Sequence, residues 1–202
     1  MTSTEQYKQK WGNPGTPECP DHAWYAANMR KVVLPWAMIN AMDPEGPQIT
    51  STLFHTDAAV HLVNALQAVW DTAQKHVTVA PRSVGSHDEI VKQLAVVQQP
   101  VIVAPRSVAL PGATRALIHS FGGDLWCGTY NLRCVRGYEA QGILSPHAYG
   151  IAIDIDAARN PMGNPLRTTF PAWFVQCFKD HGFLWGGDFI NRKDAMHFEV
   201  QT

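Results

Sequence analysis

Residues 145 to 156 read SPHAYGIAIDID, and an alternation of period two is the feature that most constrains the chain. Successive side chains of a strand point to opposite faces, so from Gly150 onward Ile151, Ile153 and Ile155 share one face. Ala152, Asp154 and Asp156 share the other. The isoleucines require a core on their side, while the alanine leaves room beside two carboxylates. His147 has the opposite parity to Asp154, but Pro146 before it and Gly150 after it predict a turn that swings the imidazole to the Asp154 side.

A second alternating stretch, DAMHFEV, begins at Asp194. Phe198 and Val200 fall on one face, and His197 and Glu199 on the other. Asp194, three residues before His197, reaches the same volume as the imidazole. Two imidazoles and one carboxylate, His147, Asp154 and His197, make a three-ligand zinc site with an open fourth position for water. Asp194 supplies a further carboxylate that can act as general base. The bland alternative is that each is a satisfied core residue, as a lone histidine on a strand usually is. An iron facial triad also uses two histidines and a carboxylate, but its first two ligands usually lie about two residues apart. Here they are seven apart, which counts against iron.

The rest of the chain bounds the setting. Its 202 residues, 46% hydrophobic, fill one core, so we expect a single domain over 1–202 with the motifs concentrated in 115–201. Residues 1–50, rich in proline and glycine, read as an irregular wrap. Sixteen lysines and arginines against 17 acids leave no basic field for a nucleic-acid backbone. The longest apolar stretch, VVLPWAMINAM, is interrupted by Pro35 and Asn40, so neither a signal-peptide core nor a membrane span is expected, and synthesis in the cytoplasm is. Cys19, Cys127, Cys134 and Cys177 lack C-x-x-C spacing and read as buried thiols, although Cys127 and Cys134 flank a turn and could pair.

Apolar residues at Leu62, Val63, Leu66, Val69 and Trp70 predict a helix over 57–75, capped by Thr56 or Asp57, with His55 and His61 solvated or capping. VAPRSV occurs at 79–84 and again at 103–108, around a weaker helix, HDEIVKQLAVV. VALPGATRALIHSFGGDLW reads as loop, short helix and a turn at Gly122–Gly123. CGTYNLRCVRG reads as a strand ending at Gly137. PAWFVQCFKDHG is a helix with Phe174, Cys177, Phe178 and His181 on one side, stopped by Gly182. FLWGGDF and MHFEV are the last strand-like pieces. Mixed elements without regular alternation predict an α+β fold: a small antiparallel sheet carrying the metal site, flanked by helices, after an irregular N-terminal segment.

The pattern S-x-H-x-x-G-x-A-x-D at Ser145, His147, Gly150, Ala152 and Asp154, followed by D-x-x-H-F-E at Asp194, His197, Phe198 and Glu199, resembles a family of zinc peptidases. These are the D-alanyl-D-alanine carboxypeptidases and L-alanyl-D-glutamate endopeptidases of bacterial cell walls. GTYNLRCVRG upstream and GFLWGGDF downstream are similar to the family's flanking segments, and the N-terminal half more loosely resembles the lead-in of bacteriophage versions. The resemblance implies one zinc ion per chain held by His147, Asp154 and His197, with Asp194 as catalytic base. It implies that an arginine, Arg133 or, failing that, Arg136, supports the developing oxyanion, a role that suits a permanently charged guanidinium.

The implied substrate is a peptidoglycan stem peptide with a D-residue at or beside the cut bond, and the implied setting is a monomeric phage lysis enzyme. It would reach the wall, in the periplasm or outside, through a holin-type pore protein. A D-alanyl-D-alanine carboxypeptidase or dipeptidase would use the same site, and a non-catalytic wall-binding or phage structural module is the rival of another class. Asp156 stands where relatives often have asparagine and reads as a supporting or structural residue. The insert DLWCGT leaves the register of the arginine segment open. Ser145 reads as fixing the histidine loop by hydrogen bonding rather than as a nucleophile. Glu199 reads as a hydrogen-bond partner for a ligand or for its strand neighbour, and Trp185, beside Gly186 and Gly187, as lining the groove or packing a turn.

Overall fold

The computed structural model describes residues 3–79 and 111–201. The VAPRSV echo and the helix expected over 87–97 lie outside the described residues. In chain order the elements are α1 (Ser3–Trp11), α2 (His22–Asn28), β1 (Met29–Asn40), β2 (Ile49–His55), α3 (Ala59–Val79), α4 (Pro111–Ser120), β3 (Leu125–Gly128), β4 (Ala152–Ile155), α5 (Ala172–Asp180), β5 (Phe183–Trp185) and β6 (His197–Val200). The fold is α+β, built on a six-stranded sheet of order β2-β1-β3-β4-β6-β5. Neighbours run antiparallel except β1 and β3, which are parallel.

The N-terminal segment is irregular between α1 and α2, yet Met29–Asn40 within it forms the longest strand. Pro35 hides this strand from a pattern reading. Proline cannot donate to a ladder, and here the register with β2 breaks between Val33 and Met38, so Pro35 sits inside an irregularity. Further along, the strand expected to reach Gly137 is shorter and earlier. It closes at Gly128, whose φ of 142° breaks the extended path, and residues 129–137 run on irregularly with one bridge, Cys134 to Leu144.

The helix from Thr56 forms as a 3₁₀ turn, Thr56–Ala58, leading into α3. Its cap is His55, whose Nδ1 accepts the Asp57 N–H at 3.2 Å. Thr56 does not cap, because its hydroxyl donates to the Asn28 carbonyl at 2.8 Å. Leu62, Leu66 and Val69 are fully buried, as the period requires. In α5, Phe174 and Phe178 are buried against Phe198 of β6, with ring centroids 6.1 and 4.3 Å away. These aromatic contacts fix which face of the sheet is the core and leave the opposite parity of β4 and β6 for chemistry. All four cysteines are free thiols; Cys177 is buried, Cys127 and Cys134 are half-buried, and Cys19 is exposed.

Buried His55 is held below the ordinary histidine value of 6.5, first by burial, with the Asp57 charge opposing. The folded chain therefore keeps it neutral where the unfolded chain takes up a proton, and stability falls as pH drops below about 6.5. His55→Asn keeps a capping acceptor and removes the titration. Urea unfolding between pH 5 and 7 should show the variant losing less stability on acidification, by at most about 1.4 kcal/mol per pH unit.

Candidate metal centre

The site begins with the pairing of β4 and β6, in which Ala152 lies opposite Glu199, Ile153 opposite Phe198 and Asp154 opposite His197. The Ile155 N–H bonds the Met196 carbonyl, and the Val200 N–H bonds the Ile151 carbonyl. Asp154 and His197 therefore form a pair without ladder bonds, the closer kind, with Cα atoms about 4.5 Å apart and side chains converging. Ile153 and Phe198 go to the core by the same alternation.

His147 arrives from a 3₁₀ turn, Pro146–Tyr149, that Ser145 caps by accepting the His147 N–H at 3.3 Å. The turn closes at Gly150, φ 66°, where a Cβ would also collide with the Met29 side chain. The imidazole is thereby brought to the Asp154 side. His147 Nε2 lies 3.2 Å from Asp154 Oδ1 and 3.2 Å from His197 Nδ1, and His197 Nδ1 lies 3.0 Å from Asp154 Oδ1.

This triangle is a test of fit. A tetrahedral zinc site with bonds of ~2.1 Å has ligand–ligand edges of about 3.4 Å, so three donors 3.0–3.2 Å apart need move only slightly to hold the ion. Among the described residues, His147, Asp154 and His197 form the one group of three or more such side chains close enough to hold a metal ion. Two nitrogens and one oxygen, with a cleft beside them, match the donor set of an open zinc site.

Each imidazole is held from behind. His147 Nδ1 donates to the Thr129 carbonyl at 2.5 Å, and the Thr129 hydroxyl meets Thr52 of β2 at 2.6 Å. His197 Nε2 lies 2.8 Å from Glu199 Oε2, and Glu199 Oε1 accepts the Tyr7 hydroxyl of α1 at 2.7 Å. Both rings thus turn one nitrogen to a fixed acceptor and the other to Asp154. Burial alone would lower the His197 pKa, but hydrogen bonds to Asp154 and Glu199 outweigh it and raise it to about 10. Burial opposes ionisation of Asp154 too, yet the two histidines hold its carboxyl far below the usual range. Burial, and then the Glu199 charge, push the Tyr7 phenol up, so it remains a donor.

Asp194 lines the same cleft, a cavity of about 260 Å³. Its Oδ1 is buried without a hydrogen-bond partner among the described residues. Burial raises its pKa, the charge of Asp154 adds to this, and His197, His147 and Arg192 pull the other way. Asp194 is placed through its backbone, whose N–H bonds the Gly186 carbonyl at 2.9 Å. A Cβ on Gly186 would strike the Asp194 backbone, so the glycine beside Trp185 permits this approach. Trp185 itself is buried, donating to the Ala195 carbonyl at 2.8 Å, and borders a second, more apolar cavity.

Arg133 and Arg136 both line the cleft. Strand parity would have allowed only one of them there, and the rule fails because residues 129–137 are not a strand. Asp156 is not in the site. The strand ends at Ile155, and at φ 44° Asp156 leaves the alternation, pairing with Arg159 Nε at 2.6 Å beside the Gly122 turn. Sequence reasoning missed Tyr7, Thr129 and Arg192. Thr129 meets His147 through its backbone carbonyl, and Tyr7 meets His197 through Glu199, contacts that no local pattern reveals.

Residues 139–200 match the family model described as D-alanyl-D-alanine carboxypeptidase. No solved structure matches the chain. The matched stretch contains His147, Asp154, Asp194, His197 and Glu199, and it leaves out both cleft arginines of residues 129–137, Thr129 and Tyr7.

The geometry predicts one zinc ion bound per chain, measured by dialysis and elemental analysis. His147→Ala should weaken binding by more than the ~10–100-fold expected for losing a mere supporting group. Zinc at 100 times Kd should stabilise the parent chain by about 2.7 kcal/mol and leave the variant unmoved.

Proposed function

We propose that the protein is a zinc-dependent peptidase that hydrolyses an amide bond in peptidoglycan stem peptides, acting as a monomeric domain over 1–202. The convergence of His147, Asp154 and His197 beside Asp194, one of whose carboxylate oxygens is buried without a partner among the described residues, carries the reading. The family match over 139–200 supports the reaction class.

Zinc, when held by this donor set, supplies Lewis acidity toward a carbonyl and toward water. The remaining steps belong to the chain. Asp194, with its raised pKa, is suited to take a proton from the attacking water and return it to the leaving amine. Arg133, or Arg136 in its place, donates to the carbonyl oxygen as charge develops there. Ser145 and Thr129 keep the His147 ring oriented and have no direct part in bond cleavage. Among the described residues three guanidiniums line the cleft, Arg133, Arg136 and Arg192, which favours a peptide bearing carboxylates beyond the scissile amide.

Within this class we favour an endopeptidase cutting beside a D-residue, of the L-alanyl-D-glutamate type. The description of the matching family favours a second reading, removal of a terminal D-alanine. In the setting we infer, the enzyme lyses a bacterial wall after release by a holin-type membrane pore; among the described residues no helix is long and apolar enough to cross a membrane.

Mass spectrometry of purified wall after digestion separates the readings. New amino termini within the stem are expected, free D-alanine alone would favour the carboxypeptidase, and a chelator should stop either. Asp194→Ala should lose at least about 100-fold in rate while zinc stays bound. Of Arg133→Ala and Arg136→Ala, the one that removes the oxyanion donor should lose ~100–1,000-fold in kcat, and the other much less.

A further inference from the structure

The N-terminal helix α1 is distant in sequence from both metal motifs, yet its Tyr7 ends against the site. The hydroxyl donates to Glu199 Oε1 at 2.7 Å across 192 residues of chain, and Glu199 Oε2 holds His197 Nε2 at 2.8 Å. Glu199 is buried, so its two oxygens have little access to water and each has one protein partner. The helix is seated for this task. Trp11 at its end is buried, Lys10 bonds the Gln201 carbonyl at 2.9 Å just beyond β6, and the Tyr7 ring lies 5.5 Å from that of Tyr149, within the turn that carries His147.

We propose that Tyr7 is a positioning residue of the metal centre: its hydroxyl fixes the Glu199 carboxylate, which fixes the tautomer and tilt of His197 so that Nδ1 faces His147 and Asp154. A carboxylate free to rotate in place would let the imidazole flip its nitrogens, and only one of the two arrangements presents Nδ1 to the other donors. Holding the carboxylate by its second oxygen removes that freedom before any ion arrives. Glu199→Ala and Tyr7→Phe should therefore act on one path, although the two residues come from opposite ends of the chain.

The inference rests on the metal reading of the site, and the experiment separates the two. Zinc affinity is measured by competition with a chromophoric chelator for the parent, Tyr7→Phe, Glu199→Ala and the double variant, with thermal unfolding of each metal-free protein alongside. The absorption of the cobalt-loaded forms reports ligand geometry. Tyr7→Phe keeps the ring and its packing, and it should weaken zinc about tenfold, alter the cobalt spectrum and lower the metal-free unfolding midpoint by the few degrees that one lost hydrogen bond to a buried carboxylate costs. In the Glu199→Ala background the same change should have no further effect.

Parent-like zinc affinity and cobalt spectrum in Tyr7→Phe would overturn the positioning role, as would a lowered metal-free midpoint with unchanged affinity, which marks packing alone. Full additivity in the double variant would overturn the shared path. Should Glu199→Ala fail to fold, affinity and spectrum of Tyr7→Phe still decide. A parent chain that binds no zinc would overturn the metal reading itself, and this proposal with it.

Discussion

Everything at the site depends on one register: β4 and β6 paired so that Asp154 faces His197 between ladder bonds. A slip of one residue in either strand would reverse that strand's side chains, sending Asp154 or His197 into the aromatic core and Ile153 or Phe198 into the cleft. The register is therefore enforced by hydrophobic burial. Phe198 against Phe174 and Phe178, with Ile151, Ile153 and Ile155 beside it, makes any other pairing expensive. Asp154 and His197, two of the three candidate donors, take their places as the opposite parity of a core.

Around that pair the chain adds groups that each remove one freedom. The Pro146–Tyr149 turn, closed by Gly150, brings His147 to the same side, and Thr129 fixes which nitrogen it offers. Glu199 and Tyr7 do the same for His197. Gly186 admits the backbone of Asp194, leaving one carboxylate oxygen buried and unpartnered at the cleft. Such an arrangement is costly for stability, since a carboxylate oxygen shielded from water without a partner loses hydration and gains no hydrogen bond in return.

What the sequence made legible is what alternation and turn chemistry control. The two faces of 151–155 and 197–200, and the turn predicted by Pro146 and Gly150, are all there in the structure. The failures have equally local causes. Pro35 concealed β1, since a proline inside a strand reads as its end unless the ladder is known to break there. Alternation was extended one residue too far at Asp156, and nine too far past Gly128, because a pattern does not announce where φ turns positive. Tyr7 and Thr129 could not have been found, for they meet the site through tertiary contacts alone.

The Tyr7–Glu199 bond closes a loop of 192 residues. Loop-closure entropy grows only with the logarithm of length, so so distant a contact costs little more than a near one. Its effect is on cooperativity. A local opening of α1 that leaves the sheet intact would be felt at the imidazole of β6, and fraying at the start of the chain becomes disorder at the candidate site. The amide protons of this first helix would then report on the order of the candidate metal centre as well as on the helix itself.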